Sequence, residues 1–194
     1  MFVTKKEFYN EVLGIVNDGI KDIKKAKSEL EYLKKQKSSG NYTADYVRDY
    51  LDVEIKKAEK NVNETIPGRY KASLSELCAS YKAELIEDER LRASDLNEDV
   101  KLLNLGIKLN KGDIESMLAR NAKNRTMTQL ILRYADQNKI DVGRHYVGNE
   151  SVISMMETIP YTAEVVFRWV DDPGVYNRLM GEGSDMQRAF PNEV

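Results

Sequence analysis

LGIVNDGIKDIKKAKSEL, residues 13–30, decides the class of the fold. Leu13, Val16, Ile20, Ile23 and Leu30 recur at alternating steps of three and four, with Lys27 in the one seat that is not apolar. On an α-helix those steps return to one face, so the stretch predicts a heptad seam of about three repeats. That is too short for an extended coiled coil and long enough to zip against a neighbouring helix. Gly14 and Gly19 weaken the first half by roughly 1 kcal/mol each relative to alanine, which points to a close backbone approach there.

Working outward, Thr4 and Glu7 have capping-box spacing and predict the start of this helix. Ser38 to Tyr42 reads as a turn, and Thr43 as the N-cap of a second helix with the stripe Val47, Leu51, Ile55, Ala58 and Val62. A connection this short favours antiparallel neighbours, hence a helical hairpin. Pro67-Gly68 is expected to end or kink the second helix. A third stripe follows at Tyr70, Leu74, Leu77, Tyr81 and Leu85, read as a separate helix folding back.

From Ser94 the pattern changes to short capped helices. Ser94 is expected to cap a helix running to about Asn104 with Gly106 beyond its end. Asn110 and Asp113 open the next, and Thr126 with Gln129 another. Gly143 and Gly148 bracket a linker. Helical sequence resumes after Asn149, with Pro160 as an interruption and a β-strand as the competing reading of Ala163–Val170. Asp172-Pro173 suits the N-cap and first position of a last helix ending near Gly181. The final dozen residues are expected to be loose. The whole is all-α: a long-helix hairpin or bundle over 1–92, a compact unit over 94–140, and an arm and tail over 141–194.

Composition narrows the function. Charged residues are 32% and apolar residues 41% of the 194, an ordinary globular balance tilted toward helix surface. No apolar run approaches the roughly 18 residues of a membrane span, and the start lacks an apolar signal region, so a cytoplasmic protein is expected. Cys78 is alone, which excludes an intrachain disulfide framework and reads as a small buried hydrophobe. Residues 1–40 carry nine lysines against six acids, and residues 141–194 four arginines against nine acids. A basic front and an acidic rear permit contact within one molecule or between copies.

Catalytic and metal motifs fail on inspection. Asp95-x-Asn97-x-Asp99 opens like a calcium loop, but Val100 stands where glycine is needed and Gly106 where the bidentate glutamate belongs. It is read as helix capping. Gly181-x-Gly183 lacks the third glycine of a dinucleotide loop. His145 is the single histidine, which removes paired-histidine metal sites, and no nucleophile is placed to use it. No catalytic residue, cofactor, metal or small-molecule substrate is assigned, and no enzymatic activity is expected.

Two sets of residues suit contacts instead. Eleven tyrosines against one tryptophan and four phenylalanines is a bias toward side chains that bury a ring and keep a hydroxyl wet. Tyr42, Tyr46 and Tyr50 share one side of the second helix near the hairpin turn, as core or as a contact patch. The run Lys21 to Lys37 holds seven lysines and three acids around Tyr32. Lys24, Lys25, Lys34 and Lys35 are its candidates for nucleic-acid phosphates. Their alternation with acids at helix-neighbour spacing and the slightly acidic chain disfavour that reading.

Gly106-Ile-Lys-Leu-Asn-Lys-Gly-Asp-Ile-Glu-Ser-Met-Leu, then Asn124-Arg-Thr-Met-Thr-Gln-Leu-Ile and Arg133-Tyr-Ala, resemble helical segments of uncharacterised bacteriophage and prophage proteins of the kind encoded among head and packaging genes. The likeness covers about residues 104–138. It implies a structural or assembly role in a bacterial host cell or virion, scaffold-like in kind. A strongly basic C-terminal segment for shell binding, typical of scaffolding proteins, is missing. The expected function is a non-enzymatic assembly protein that contacts a protein partner or itself through the seam Leu13, Val16, Ile20, Ile23 and Leu30. A nucleic-acid-associated regulator using the lysines is the alternative.

Overall fold

A computed structural model describes residues 4–106, 108–145 and 148–190. Ile107 of the quoted stretch, Tyr146 and Val147 of the linker, and residues 191–194 of the expected tail lie outside the described residues. Among those described, all regular structure is helical and no strand occurs. No helix is long and apolar enough to cross a membrane.

Helix α1 spans Lys5–Ser38 and opens as its capping box predicts: the Glu7 amide donates to Thr4 Oγ1, and the Thr4 amide donates to the Glu7 carboxylate at 2.9 Å. Thr43 likewise caps the second helix, accepting from the Tyr46 amide at 3.3 Å. That helix, α2, differs from expectation. It runs without a break through Ala44–Tyr46, a π turn at Val47–Leu51, Asp52–Lys60, a second π turn at Asn61–Thr65, and Ile66–Glu89. Pro67-Gly68 neither ends it nor starts a separate helix. In the π turn the Ile66 amide reaches back five residues to the Asn61 carbonyl. A turn already widened and out of α register tolerates a following residue that has no N–H to give.

The stripe itself calls for such turns. Ala58, Val62, Ile66, Tyr70, Leu74 and Cys78 follow one another at steps of four, and each such step drifts about 40° around an ideal α-helix. Inserting π turns returns the stripe to one face, so Leu51, Ile55, Val62, Ile66, Leu74, Cys78 and Tyr81 are all buried.

The chain divides into two units: residues up to Ala83 together with those from Ser151 onward, and Glu84–Glu150. This departs from the expected 1–92, 94–140 and 141–194, because the C-terminal helices complete the core of the N-terminal hairpin. In the first unit α1 and α2 are antiparallel, tied by Lys37 to Asp52 at 2.6 Å, Lys34 to Glu59 at 2.8 Å, and Arg69 to Asp22 at 2.6 Å. Helix α6, Glu150–Arg168, lies against both. Lys71 meets Glu164 at 2.7 Å, Lys82 meets Glu157 at 2.7 Å, and Lys27 pairs with Asp171 just past its end. Pro160 does not interrupt α6, and Ala163–Val170 is not a strand. Val152, Met156, Ile159, Ala163, Val166 and Phe167 are buried on both sides of the proline, and that continuous apolar face offsets the roughly 3 kcal/mol a mid-helix proline costs. Helix α7, Pro173–Met180, is capped by Asp172 as expected, and its Met180 carbonyl accepts from Tyr9 Oη at 2.7 Å. The described part of the expected loose tail instead forms α8, Asp185–Ala189, with Met186 and Phe190 buried.

At Gly19 α1 lies close against α6: a Cβ there would lie 2.6 Å from Phe167 Cε1. Gly14 has nothing within 4 Å of the same added atom. The two glycines therefore have opposite expected outcomes in thermal or denaturant unfolding. Gly14→Ala gains up to about 1 kcal/mol from helix propensity, whereas Gly19→Ala loses about 1–3 kcal/mol by overpacking Phe167. Equal effects at the two sites would contradict the α1–α6 packing.

The second unit contains the last turns of α2 and three further helices: α3, Asp99–Asn104; α4, Lys111–Arg120; and α5, Arg125–Gln137. Its core is Ile114, Met117, Met127, Ile131 and Ala135, with Val100, Leu103, Leu109 and Tyr134 packed around it. The Asn110–Asp113 capping box forms as expected, and Gly106 follows α3 at φ +66°. Two caps differ. Asn124, not Thr126, caps α5, accepting from the Met127 amide at 3.0 Å; Thr126 and Gln129 are buried. Ser94 does not cap α3, because it lies inside a short 3-10 turn, Ala93–Asp95, and α3 begins only at Asp99.

Candidate interaction surface

Between α1 and α2 the chain turns at Ser39-Gly40, where Gly40 adopts φ +70° and the Asn41 amide donates to Ser39 Oγ at 3.3 Å. Thr43 then restarts the helix and sets Tyr42, Tyr46 and Tyr50 in one row. Their rings stack in sequence, Tyr42 on Tyr46 and Tyr46 on Tyr50, each at 5.1 Å between centroids. They stay in water, 39%, 42% and 51% exposed. The core alternative is thus excluded: the row is a ladder on the surface. The π turn at Val47–Leu51 lets this happen, since it buries Leu51 against α1 while the tyrosine face looks out. Arg48 lies beside the ladder and holds Asp45 at 3.1 Å and Asp49 at 2.7 Å.

Along α2 the ladder leads on, at further steps of four, to Glu54 and Ala58. These line one wall of a shallow groove of about 400 Å³ between α1 and α2, whose α1 wall includes Ala26, Glu29 and Leu33. Past Lys27 the ion pairs of α1 among the described residues are with α2 alone, so the hairpin continues beyond the end of α6 as a two-helix tip. Tyr32, Tyr42, Tyr46, Tyr50 and Val53 are all exposed there. A second exposed apolar row consists of Tyr161 and Val165 on α6 and Trp169 just past its end, with the Lys71 ammonium 4.6 Å from the Tyr161 ring centre.

The sequence-derived seam is placed mostly inside. Val16 and Ile23 are buried, while Leu13, Ile20 and Leu30 are half-buried at its edge. The centre of the buried face is Val12, Val16, Gly19, Ile23 and Ala26. Val12, Gly19 and Ala26 stand seven residues apart, a signal that their small size hid from a count of large apolar residues. The lysines do not converge. Lys24, Lys25 and Lys35 are exposed on α1, and Lys34 is held by Glu59.

Elsewhere the chemistry-bearing residues are committed to structure. Asp95, Asn97 and Asp99 are drawn into a network with α4 and α5: Asn97 Nδ2 donates to Asn121 Oδ1 at 2.7 Å, Asn121 Nδ2 donates to Asp99 at 2.7 Å, and Asn124 Nδ2 donates to the Asp95 carbonyl at 2.6 Å. Burial pushes the Cys78 thiol up to about 11, which keeps it protonated at neutral pH. Among the described residues no group of three or more His, Cys, Asp or Glu side chains gathers to hold a metal.

His145 Nδ1 lies 2.8 Å from Asp136 Oδ1, and the hydrogen bond and charge of that carboxylate raise the imidazole above its ordinary 6.5. The contact therefore favours the folded state fully below 6.5 and is lost as pH rises through the folded midpoint. An NMR titration is expected to place the His145 midpoint above 6.5, and Asp136→Asn to lower it. An unchanged midpoint in that variant would show the pair does not form in solution.

Compared with family models, with curated proteins and with solved structures, the chain matches none.

Proposed function

We propose that this chain is a non-enzymatic assembly or interaction protein that works by helix-mediated contact with protein, and that the hairpin tip is its working surface. The observation that carries this reading is the exposed ladder Tyr42–Tyr46–Tyr50. Three stacked aromatic rings left in water leave apolar area uncovered, and their hydroxyls can still hydrogen-bond when a partner covers them. Tyrosine is enriched in protein interfaces for that reason. The setting we propose, virion assembly, rests on the resemblance of about residues 104–138 to uncharacterised phage and prophage proteins of the kind encoded among head and packaging genes.

The reading is tested by replacing Tyr46 with p-benzoylphenylalanine and irradiating cells that express the chain. A discrete adduct is expected at position 46, with none from the same probe at exposed Lys24. Labelling no stronger at 46 than at 24 would remove the tip as the contact surface.

A further inference from the structure

We infer that the groove at the hairpin tip receives a second copy of this chain, the two tips closing side by side into a four-helix bundle. The inference rests on the tip being a protein-contact surface and names its partner. Below Lys27 the hairpin is covered by α6, as the Lys71–Glu164 and Lys82–Glu157 pairs and the Gly19–Phe167 approach show. Above Lys27 the same two helices continue for about 17 Å, at 1.5 Å per residue to Ser38, with no third helix among the described residues paired to them. The groove between them is lined by two alanines, Ala26 level with Lys27 and Ala58 on α2, together with Leu33 and polar neighbours. Alanines in the lining admit a helix at close distance, and two tips that each lack a cover supply one another with it.

The charge on the rim argues for a copy over a foreign partner. Glu29 and Glu54 stand opposite in sign to Lys57 and Lys60 around the same groove. A rim with two acids and two lysines repels neither sign as a whole. A two-fold contact sets the same patch against itself, so the acids of one copy can meet the lysines of the other in both directions at once. A strongly acidic or basic partner would find no matching field there. Glu54 and Lys57 pair within one chain at 2.7 Å while the groove is open, and the ladder leads directly into this wall. Tyr50, the last rung of the ladder, lies one helical turn before Glu54 on α2. In the bundle it flanks the tip of the other copy.

Sedimentation equilibrium of the full chain tests this without any variant: a concentration-dependent dimer is expected, and a monomer at the highest attainable concentration overturns the inference. Two charge reversals then locate the contact. Glu29→Lys with Glu54→Lys, and separately Lys57→Glu with Lys60→Glu, are each expected to weaken the dimer at least 10-fold with helical content intact, while an equal mixture of the two restores a mixed dimer. A wild-type dimer that ignores both reversals, or that is instead lost on Tyr161→Ser with Trp169→Ser, overturns the groove as its site. The two readings fail separately. An adduct from position 46 at the mass of a different protein, with the purified chain monomeric, keeps the tip as a contact surface and sinks the second copy.

Discussion

Phe8→Ala is expected to cost about 3–5 kcal/mol of unfolding free energy, the cost of truncating a fully buried aromatic. Against the 5–15 kcal/mol of an ordinary domain this is a large share. Phe8 is 1% exposed and sits where three helices meet. Its ring stacks on Tyr81 of α2 at 4.3 Å and lies 5.3 Å from Phe190 beyond α8, which in turn stacks on Tyr9 at 5.5 Å. Removing it therefore opens a cavity and unties the C-terminal helix from the hairpin. Denaturant unfolding of the full chain checks this. Phe190→Ala is expected to fall in the same range, because it removes the other half of the cluster. A loss below about 1 kcal/mol in either variant would mean that the tail does not close the core.

That cluster also shows what the sequence left hidden. The helical class of α1 was legible because its apolar steps alternate three and four and its cap spacing is intact. The continuity of α2 was obscured by Pro67-Gly68, since proline is a strong local signal. The compensating π turn has no residue signature of its own; its trace is the run of four-residue steps from Ala58 to Cys78. Pro160 misled in the same way, and there the burial of Ile159 and Ala163 on either side was the overriding term. The expectation of a loose tail rests on its terminal position alone. The tail's anchoring depends on Phe190 finding Phe8 and Tyr9, a pairing across nearly the whole chain that no local pattern reports.

The contact surface was half legible. The spacing of Tyr42, Tyr46 and Tyr50 put them on one face, but whether that face pointed in or out depended on the π turn at Val47–Leu51. One extra residue in a turn rotates the remainder of the helix by roughly 100°, enough to decide between core and solvent. The seam illustrates the converse. Its large residues marked the right helix and very nearly the right face, yet a close approach to Phe167 falls on Gly19, where the least side chain is present.

In the second unit the expected result is that Asn121→Ala destabilises residues 84–150 by about 3 kcal/mol while leaving the bundle of α1, α2 and α6 protected. Asn121 is 2% exposed and serves several partners at once. Its Nδ2 donates to Asp99 at 2.7 Å and to the Met117 carbonyl at 2.9 Å, and its Oδ1 accepts from Asn97 at 2.7 Å. Alanine removes all of these side-chain bonds, while the Met117 carbonyl keeps the Asn121 amide at 3.0 Å and Asp99 keeps Arg120 at 2.8 Å. The cost is therefore that of the lost bonds themselves, about 0.5–1.5 kcal/mol each and more for the one to charged Asp99. The unit has few large buried residues to absorb this, Ile114, Met117, Met127 and Ile131 among them. Hydrogen exchange is the measurement. At 1.4 kcal/mol per factor of ten, amides of α4 and α5 should exchange roughly 100-fold faster, and amides of α1 near Val12 and Val16 at nearly the wild-type rate. Acid should mimic the variant. Burial pushes the Asp99 carboxyl up, but hydrogen bonds from Arg120 and Asn121 outweigh that and hold it below its ordinary 3.8. Its contribution is therefore full above 3.8 and is lost as pH falls through the lower folded value. If α1 and α5 instead lose protection together in Asn121→Ala, the chain opens as one cooperative block, and the division at Ala83 and Ser151 has no energetic counterpart.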